Sequence, residues 1–215
     1  MTKRISKSVS GLIAGGAALL AMASTSQAVL IDFTGGTVTG AYATHYEENG
    51  FQIDVTGSSG AFFGDYYGVG NNVIHAHWAL GPYGNVTMIT VSKIGGGTFD
   101  LNYFKLTSNT DTGGGAANGT EQAFIKNNNG NDFMLPPENW GFPASQIFLP
   151  SSYDGITSFS FYVTNDVDCF GMDEFYIDEP PPVPNPNSVP DGGSSIALLG
   201  LAMTAVAGFR RKFGI

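Results

Sequence analysis

Phe51-Gln52-Ile53-Asp54-Val55-Thr56 alternates apolar and polar side chains. That period belongs to a strand with one buried and one wet face. The same texture recurs on either side of it. Leu30 to Phe33 reads as a first strand, and Val86 to Ser92 is rich in β-branched residues. Thr98 to Leu106 places Phe99, Leu101 and Tyr103 at strand spacing, predicting one shared face. Thr157 to Val163 does the same for Phe159, Phe161 and Val163, and Glu174 to Asp178 for Phe175 and Ile177. Turn-forming runs separate them: Gly57-Ser58-Ser59-Gly60, Gly95-Gly96-Gly97, Gly113-Gly114-Gly115 and Asn127-Asn128-Asn129-Gly130-Asn131. No amphipathic helix is legible between Val29 and Asp178. Short strands at this spacing predict an all-β fold, a single jelly-roll-like β-sandwich.

The two ends of the chain differ from this body. Lys3, Arg4 and Lys7 precede an apolar run from Gly11 to Ala23 and a small-x-small site at Ser26-Gln27-Ala28. That is the layout of a secretory signal peptide, residues 1–28, and it predicts export through the Sec machinery and a mature start at Val29. The β-sandwich is then residues 29–178. Residues 179–188 form a Pro-rich linker, beginning Glu179-Pro180-Pro181-Pro182, which favours an extended polyproline spacer. Ser194 to Phe209 carries no charge and is followed by Arg210, Arg211 and Lys212. At about 1.5 Å per residue the run reaches roughly 24 Å as a helix, short but workable for a bilayer core. The basic tail at 210–212 predicts a cytoplasmic C-terminus.

Just ahead of that run stands Val189-Pro190-Asp191-Gly192-Gly193. With the small-residue-rich run and the Arg-Arg-Lys tail, residues 189–213 resemble the PEP-CTERM class of bacterial sorting signals. The likeness is to the variant that begins Val-Pro-Asp-Ser-Gly, with Gly192 where that variant has Ser. The resemblance implies an exosortase-type membrane enzyme as partner and cleavage near Val189, Pro190, Asp191, Gly192 and Gly193. It implies anchoring in the inner membrane through the helix at 194–209 before processing, and then a cell-surface or extracellular location. A looser likeness joins Phe51 to Thr56, Ile94-Gly95-Gly96-Gly97-Thr98-Phe99-Asp100-Leu101 and Phe159 to Ile177 to galactose- or carbohydrate-binding jelly rolls. It rests on strand texture and bears on fold more than on function.

Between Val29 and Pro190 there are three lysines against seventeen carboxylates, a net charge of −14. Such a surface repels phosphate backbones and argues against a nucleic-acid partner. Cys169 is the only cysteine, so no intramolecular disulfide can form; it reads as a small buried residue.

Candidate ligand-binding residues are the aromatics in or beside turn-rich stretches: Tyr66, Tyr67, Trp78, Tyr83 and Trp140. Sugars stack their C–H faces on such rings, although large aromatics also fill cores. Carboxylates crowd the end of the domain, and Asn165-Asp166-Val167-Asp168 resembles part of a calcium loop without the EF-hand glycine and glutamate. A structural Ca2+ would draw on Asp166, Asp168 or Asp173, or on Asp32 with Asp173 or Asp178. His75-Ala76-His77 puts two imidazoles on one strand face, with His45 a possible third, against the plainer reading of hydrogen-bonded strand histidines. No catalytic motif is present: neither Gly-x-Ser-x-Gly, nor a phosphate loop, nor His-Glu-x-x-His. The expectation is therefore a non-enzymatic exported protein with a structural or adhesive role in extracellular polysaccharide. The alternatives are a calcium-dependent carbohydrate-binding module and, more remotely, a polysaccharide hydrolase.

Overall fold

The computed structural model describes residues 27–182 apart from 69, 80–83, 112–114 and 166. Residues 1–26 of the expected signal peptide, the sorting motif with Arg210, Arg211 and Lys212, and the apolar run at 194–209 lie outside the described residues. So do Tyr83 and Asp166. Among the described residues no helix is long and apolar enough to cross a membrane.

The fold is all-β, as expected. Its strands are β1 (Val29–Ile31), β2 (Ala41–Ala43), β3 (His45–Glu48), β4 (Phe51–Thr56), β5 (Ala61–Asp65), β6 (Asn72–His77) and β7 (Met88–Lys93). They continue with β8 (Leu101–Thr110), β9 (Gln122–Asn127), β10 (Asp132–Met134), β11 (Ser145–Phe148), β12 (Ser158–Asn165) and β13 (Cys169–Ile177). They form two antiparallel sheets. The first runs β11-β8-β13-β6-β5-β2, and the second runs β10-β9-β12-β7-β4-β3. In the first sheet β6 pairs with Cys169 to Met172 and β1 with Phe175 to Ile177, so the two lie end to end along β13.

The decisive hexapeptide behaves as its alternation requires. Phe51, Ile53 and Val55 of β4 are buried, while Gln52 and Asp54 are half-buried. Phe159 and Phe161 of β12 face the same core, where Phe104, Phe170 and Phe175 meet them and Phe33 packs in turn on Phe175. Tyr46 stacks on Phe63 across the two sheets, centroids 4.5 Å apart and nearly parallel. The two inner faces thus close on each other as apolar sheet faces must.

One facing prediction fails. Leu101 is in the core, but Tyr103 lies on the outer face, stacked on Tyr176 at 4.2 Å. The reason is a bulge. Leu101 sits opposite Ile177 and Tyr103 opposite Tyr176, so β8 spends two residues where β13 spends one. An extra residue switches the face of everything beyond it. Further irregularities lie between Gly171 and Met172 and between Met172 and Phe175, and the first of them adjoins the site described next.

Candidate functional site

The outer face of the seven-stranded sheet carries the chemistry. In β6, Ile74 and Ala76 point into the core with Trp78 beyond them, so His75 and His77 share the opposite face. Cys169 stands directly across from His77 in the ladder, and Gly171 across from His75. Cys169 Sγ lies 3.6 Å from His75 Nε2 and 3.7 Å from His77 Nδ1. The donor atoms of His75, His77 and Cys169 all fall within 4.8 Å of one another. Asp168, next along the chain, is wholly buried and places Oδ1 3.5 Å from His77 Nδ1. Among the described residues, neither of its carboxylate oxygens has a hydrogen-bond partner.

Tyr67 orients this group. Its hydroxyl lies 3.0 Å from His75 Nδ1 and 2.8 Å from Ser108 Oγ, and Thr107 Oγ1 donates to it at 3.4 Å. Gly171 makes the approach possible, because a Cβ there would stand 2.7 Å from both Tyr67 Oη and Thr107 Oγ1. Tyr66 lies flat on the His75 ring at 4.1 Å and reaches His77 Nε2 at 3.5 Å. Burial, with His77 beside it, lowers the His75 pKa to about 3, so this imidazole is neutral at ordinary pH. Burial also pushes the Tyr67 phenol up to about 12.

From this centre a continuous line of ring contacts runs across the face. Tyr42 meets Phe62 at 5.4 Å, Phe62 meets Tyr66 at 5.1 Å, and Tyr66 meets Tyr67 at 5.7 Å. Tyr67 then meets Trp140 at 4.5 Å and Phe142 at 5.5 Å. The segment bearing the last two rings is pinned beside β8, with Glu138 exchanging backbone hydrogen bonds with Asn109 and Gly141 N–H donating to Thr107 O. The ends of the line are exposed: Tyr42 49%, Trp140 37% and Phe142 39%.

Tyr66, Tyr67 and Trp140 are therefore brought together, whereas Trp78 is not with them. It is a correction to the ligand-binding set: the Trp78 ring is fully buried against Phe170 and offers no face to a ligand. Its odd place in a turn-rich stretch reflects the end of β6, where the core-facing phase simply continues. His45 is remote from the other histidines. It lies on β3 in the second sheet, where Asp54 and Glu47 hold it at 2.7 and 3.2 Å and raise its pKa.

The acidic candidates are spread along β13. Asp168 precedes it, Asp173 lies within it and Asp178 follows it, with Asp178 accepting from Asp100 N–H at 2.8 Å. Nine residues at about 3.3 Å each separate the ends by roughly 30 Å, so Asp168 and Asp178 do not meet at one ion. Asp32 is the candidate whose charge reaches Asp173.

The sequence reading missed Asp168 as a neighbour of His77, and missed Cys169 as a member of the histidine group. The His-x-His spacing was visible, but ladder register alone brings a residue 92 positions away opposite it. A hollow of about 660 Å3 lies at the other sheet, lined by Glu121, Phe133, Met134, Leu135 and Asn165 among others. It has one aromatic ring and no tyrosine or tryptophan.

A family model described as the VPDSG-CTERM motif matches residues 188–213. The chain thus carries a PEP-CTERM-like sorting signal, which marks an exported, surface-sorted protein. No curated protein shows a significant match to the chain.

Proposed function

We propose that this is a surface or matrix protein whose β-sandwich engages extracellular polysaccharide through the outer face of its seven-stranded sheet, without catalysis. The observation that carries the reading is the line of rings from Tyr42 to Trp140 and Phe142, exposed at both ends. Sugar rings present C–H faces of matching size to such a track. The half-buried Tyr66 and Tyr67 between them act as the rigid floor. A jelly roll is supported by strand order. The last eight strands pair as β6 with β13, β7 with β12, β8 with β11 and β9 with β10. That nesting is one long hairpin rolled into two sheets.

The full-length chain is expected to be retained on an acidic or neutral polysaccharide matrix, and the Tyr42→Ala/Trp140→Ala double variant to bind at least about tenfold more weakly. Equal retention of the two proteins would remove the aromatic track from the reading. Saturation by one preferred glycan would mark a discrete carbohydrate-binding module, whereas weak retention on many would mark a matrix component.

Processing by an exosortase-like enzyme belongs to the same proposal and rests on the motif at 188–213. Intact-mass analysis of protein from its own cell surface is expected to show a chain ending between Val189 and Gly193, with that species lost in Pro190→Ala. A mass extending to Ile215 in both would leave a plain membrane anchor.

A further inference from the structure

We propose that His75 Nε2, His77 Nδ1 and Cys169 Sγ bind one transition-metal ion of the zinc class, with the Asp168 carboxylate beside them as the compensating charge. The proposal stands apart from polysaccharide binding and does not depend on it.

Four observations carry it. First, the donor spacing suits coordination. A tetrahedral ion with a metal–sulfur bond of about 2.3 Å and metal–nitrogen bonds of about 2.0–2.1 Å holds its sulfur and nitrogen ligands about 3.5 Å apart. The two S···N distances here are 3.6 and 3.7 Å. Second, the thiol and the carboxylate both approach the same nitrogen of His77, Nδ1, at 3.7 and 3.5 Å. A nucleophile–base–carboxylate relay needs them on opposite ring nitrogens. Donors converging on one point are what an ion requires. Third, Asp168 is a wholly buried carboxylate with no hydrogen bond to either oxygen among the described residues. A buried charge normally sits with a partner, and a cation among these donors supplies one. Fourth, the second layer is in place. Tyr67 Oη lies 3.0 Å from His75 Nδ1, fixing the ring so that Nε2 faces the group, as outer hydrogen bonds do at metal-bound histidines.

The donor chemistry sets the class. One thiolate and two imidazoles favour Zn2+, Co2+ or copper over Ca2+ and Mg2+, which take oxygen ligands. Imidazoles ligate in their neutral form, and both ring nitrogens named here lie beside the thiol. On binding, the metal displaces the Cys169 thiol proton, which leaves to solvent. His77, whose side chain is 20% exposed, gives the ion its way in.

The test is titration of the full-length chain, purified in mild detergent and stripped with chelator, with Co2+ followed by absorption. One equivalent is expected to produce a near-ultraviolet sulfur-to-cobalt charge-transfer band together with the intense visible bands of tetrahedral Co2+, all abolished by added Zn2+. The sulfur band can come only from Cys169, since the chain has a single cysteine. It is expected to vanish in Cys169→Ser, to need at least tenfold more Co2+ in His77→Ala, and to be unchanged in His45→Ala. Absence of a sulfur band from the wild-type chain overturns the proposal, as does an unaltered titration in a His77→Ala variant that keeps its wild-type circular dichroism. Should the variants fail to fold, the presence or absence of the wild-type band decides alone.

Discussion

Phe175→Ala is expected to lower the unfolding free energy by about 3–5 kcal/mol, the range for removing a buried phenyl ring and leaving its cavity. Phe175 sits on β13, which is paired on both sides along its length by β8 and by β6 and β1. Its ring is wholly buried and meets Phe33 at 5.7 Å, Phe104 at 6.0 Å, Phe159 at 5.5 Å and Phe161 at 5.9 Å. Those four come from both sheets and from the turn after β1, so the cavity opens where the sandwich is closed. Rings held from several sides relax little into a void, which places the cost toward the upper end. Urea unfolding followed by tryptophan fluorescence measures it. Phe148→Ala, at a ring 49% exposed on β11, provides the contrast and is expected to change stability by less than about 1 kcal/mol. A loss below about 1 kcal/mol for Phe175→Ala would mean that this core is not the keystone of the fold.

The fold was legible wherever a strand obeyed simple alternation. β4 and the first part of β12, through Phe161, could be read directly because nothing interrupts their period of two there; the irregularity in β12 falls later, between Val163 and Asn165. β8 and β13 could not be read in full, because their bulges shift phase within the strand and place Tyr103 outside the core. Short strands such as β2 and β10, three residues each, carry no period to read. The site was half legible for the same reason. Tyr66, Tyr67 and Trp140 were visible as aromatics outside clean strand faces, and His75 with His77 as a strand pair. Their convergence with Cys169 and Asp168 depends on the antiparallel register of β6 against β13. Register between distant strands is set by the whole core and by no local pattern. Trp78 shows the converse limit: residue type and a turn-like neighbourhood suggested a ligand ring, while the phase of β6 buries it.

Glu48→Ala is expected to cost about 2–4 kcal/mol, because it strands two buried donors at once. Glu48 Oε2 accepts from Phe33 N–H and from Tyr46 Oη, each at 2.9 Å. The first of these holds Phe33 in a left-handed conformation, φ 59°, that drives its ring into the core. Glu48→Gln keeps an acceptor in place and removes the charge, so its effect runs the other way. Burial, with Asp32 beside it, raises the Glu48 pKa, and burial next to Glu174 brings Asp173 to about 6. A carboxyl raised in the folded state contributes stability that is fully present below its unfolded pKa and lost as pH rises through its folded one. For Asp173 that window runs from about pH 4 to about pH 6. Hydrogen bonds outweigh burial and lower Asp32 and Glu121, whose contributions are lost only as pH falls below the ordinary carboxylate range. Glu48 and Asp173 therefore favour pH 5 over pH 7, while His75, buried as the neutral imidazole, works the other way because it takes up a proton near pH 6.5 only in the unfolded chain. The Asp173 share of that change is about 1 kcal/mol once solvent screening of its half-buried carboxyl is allowed for. Glu48→Gln is expected to match or exceed the wild type at pH 7, and both Glu48→Gln and Asp173→Asn are expected to gain stability relative to the wild type as pH rises from 5 to 7. Urea midpoints at the two pH values decide the matter. Variants whose stability relative to the wild type is the same at pH 5 and pH 7, or falls as pH rises, would show that the fold does not favour the protonated forms of these two carboxyls.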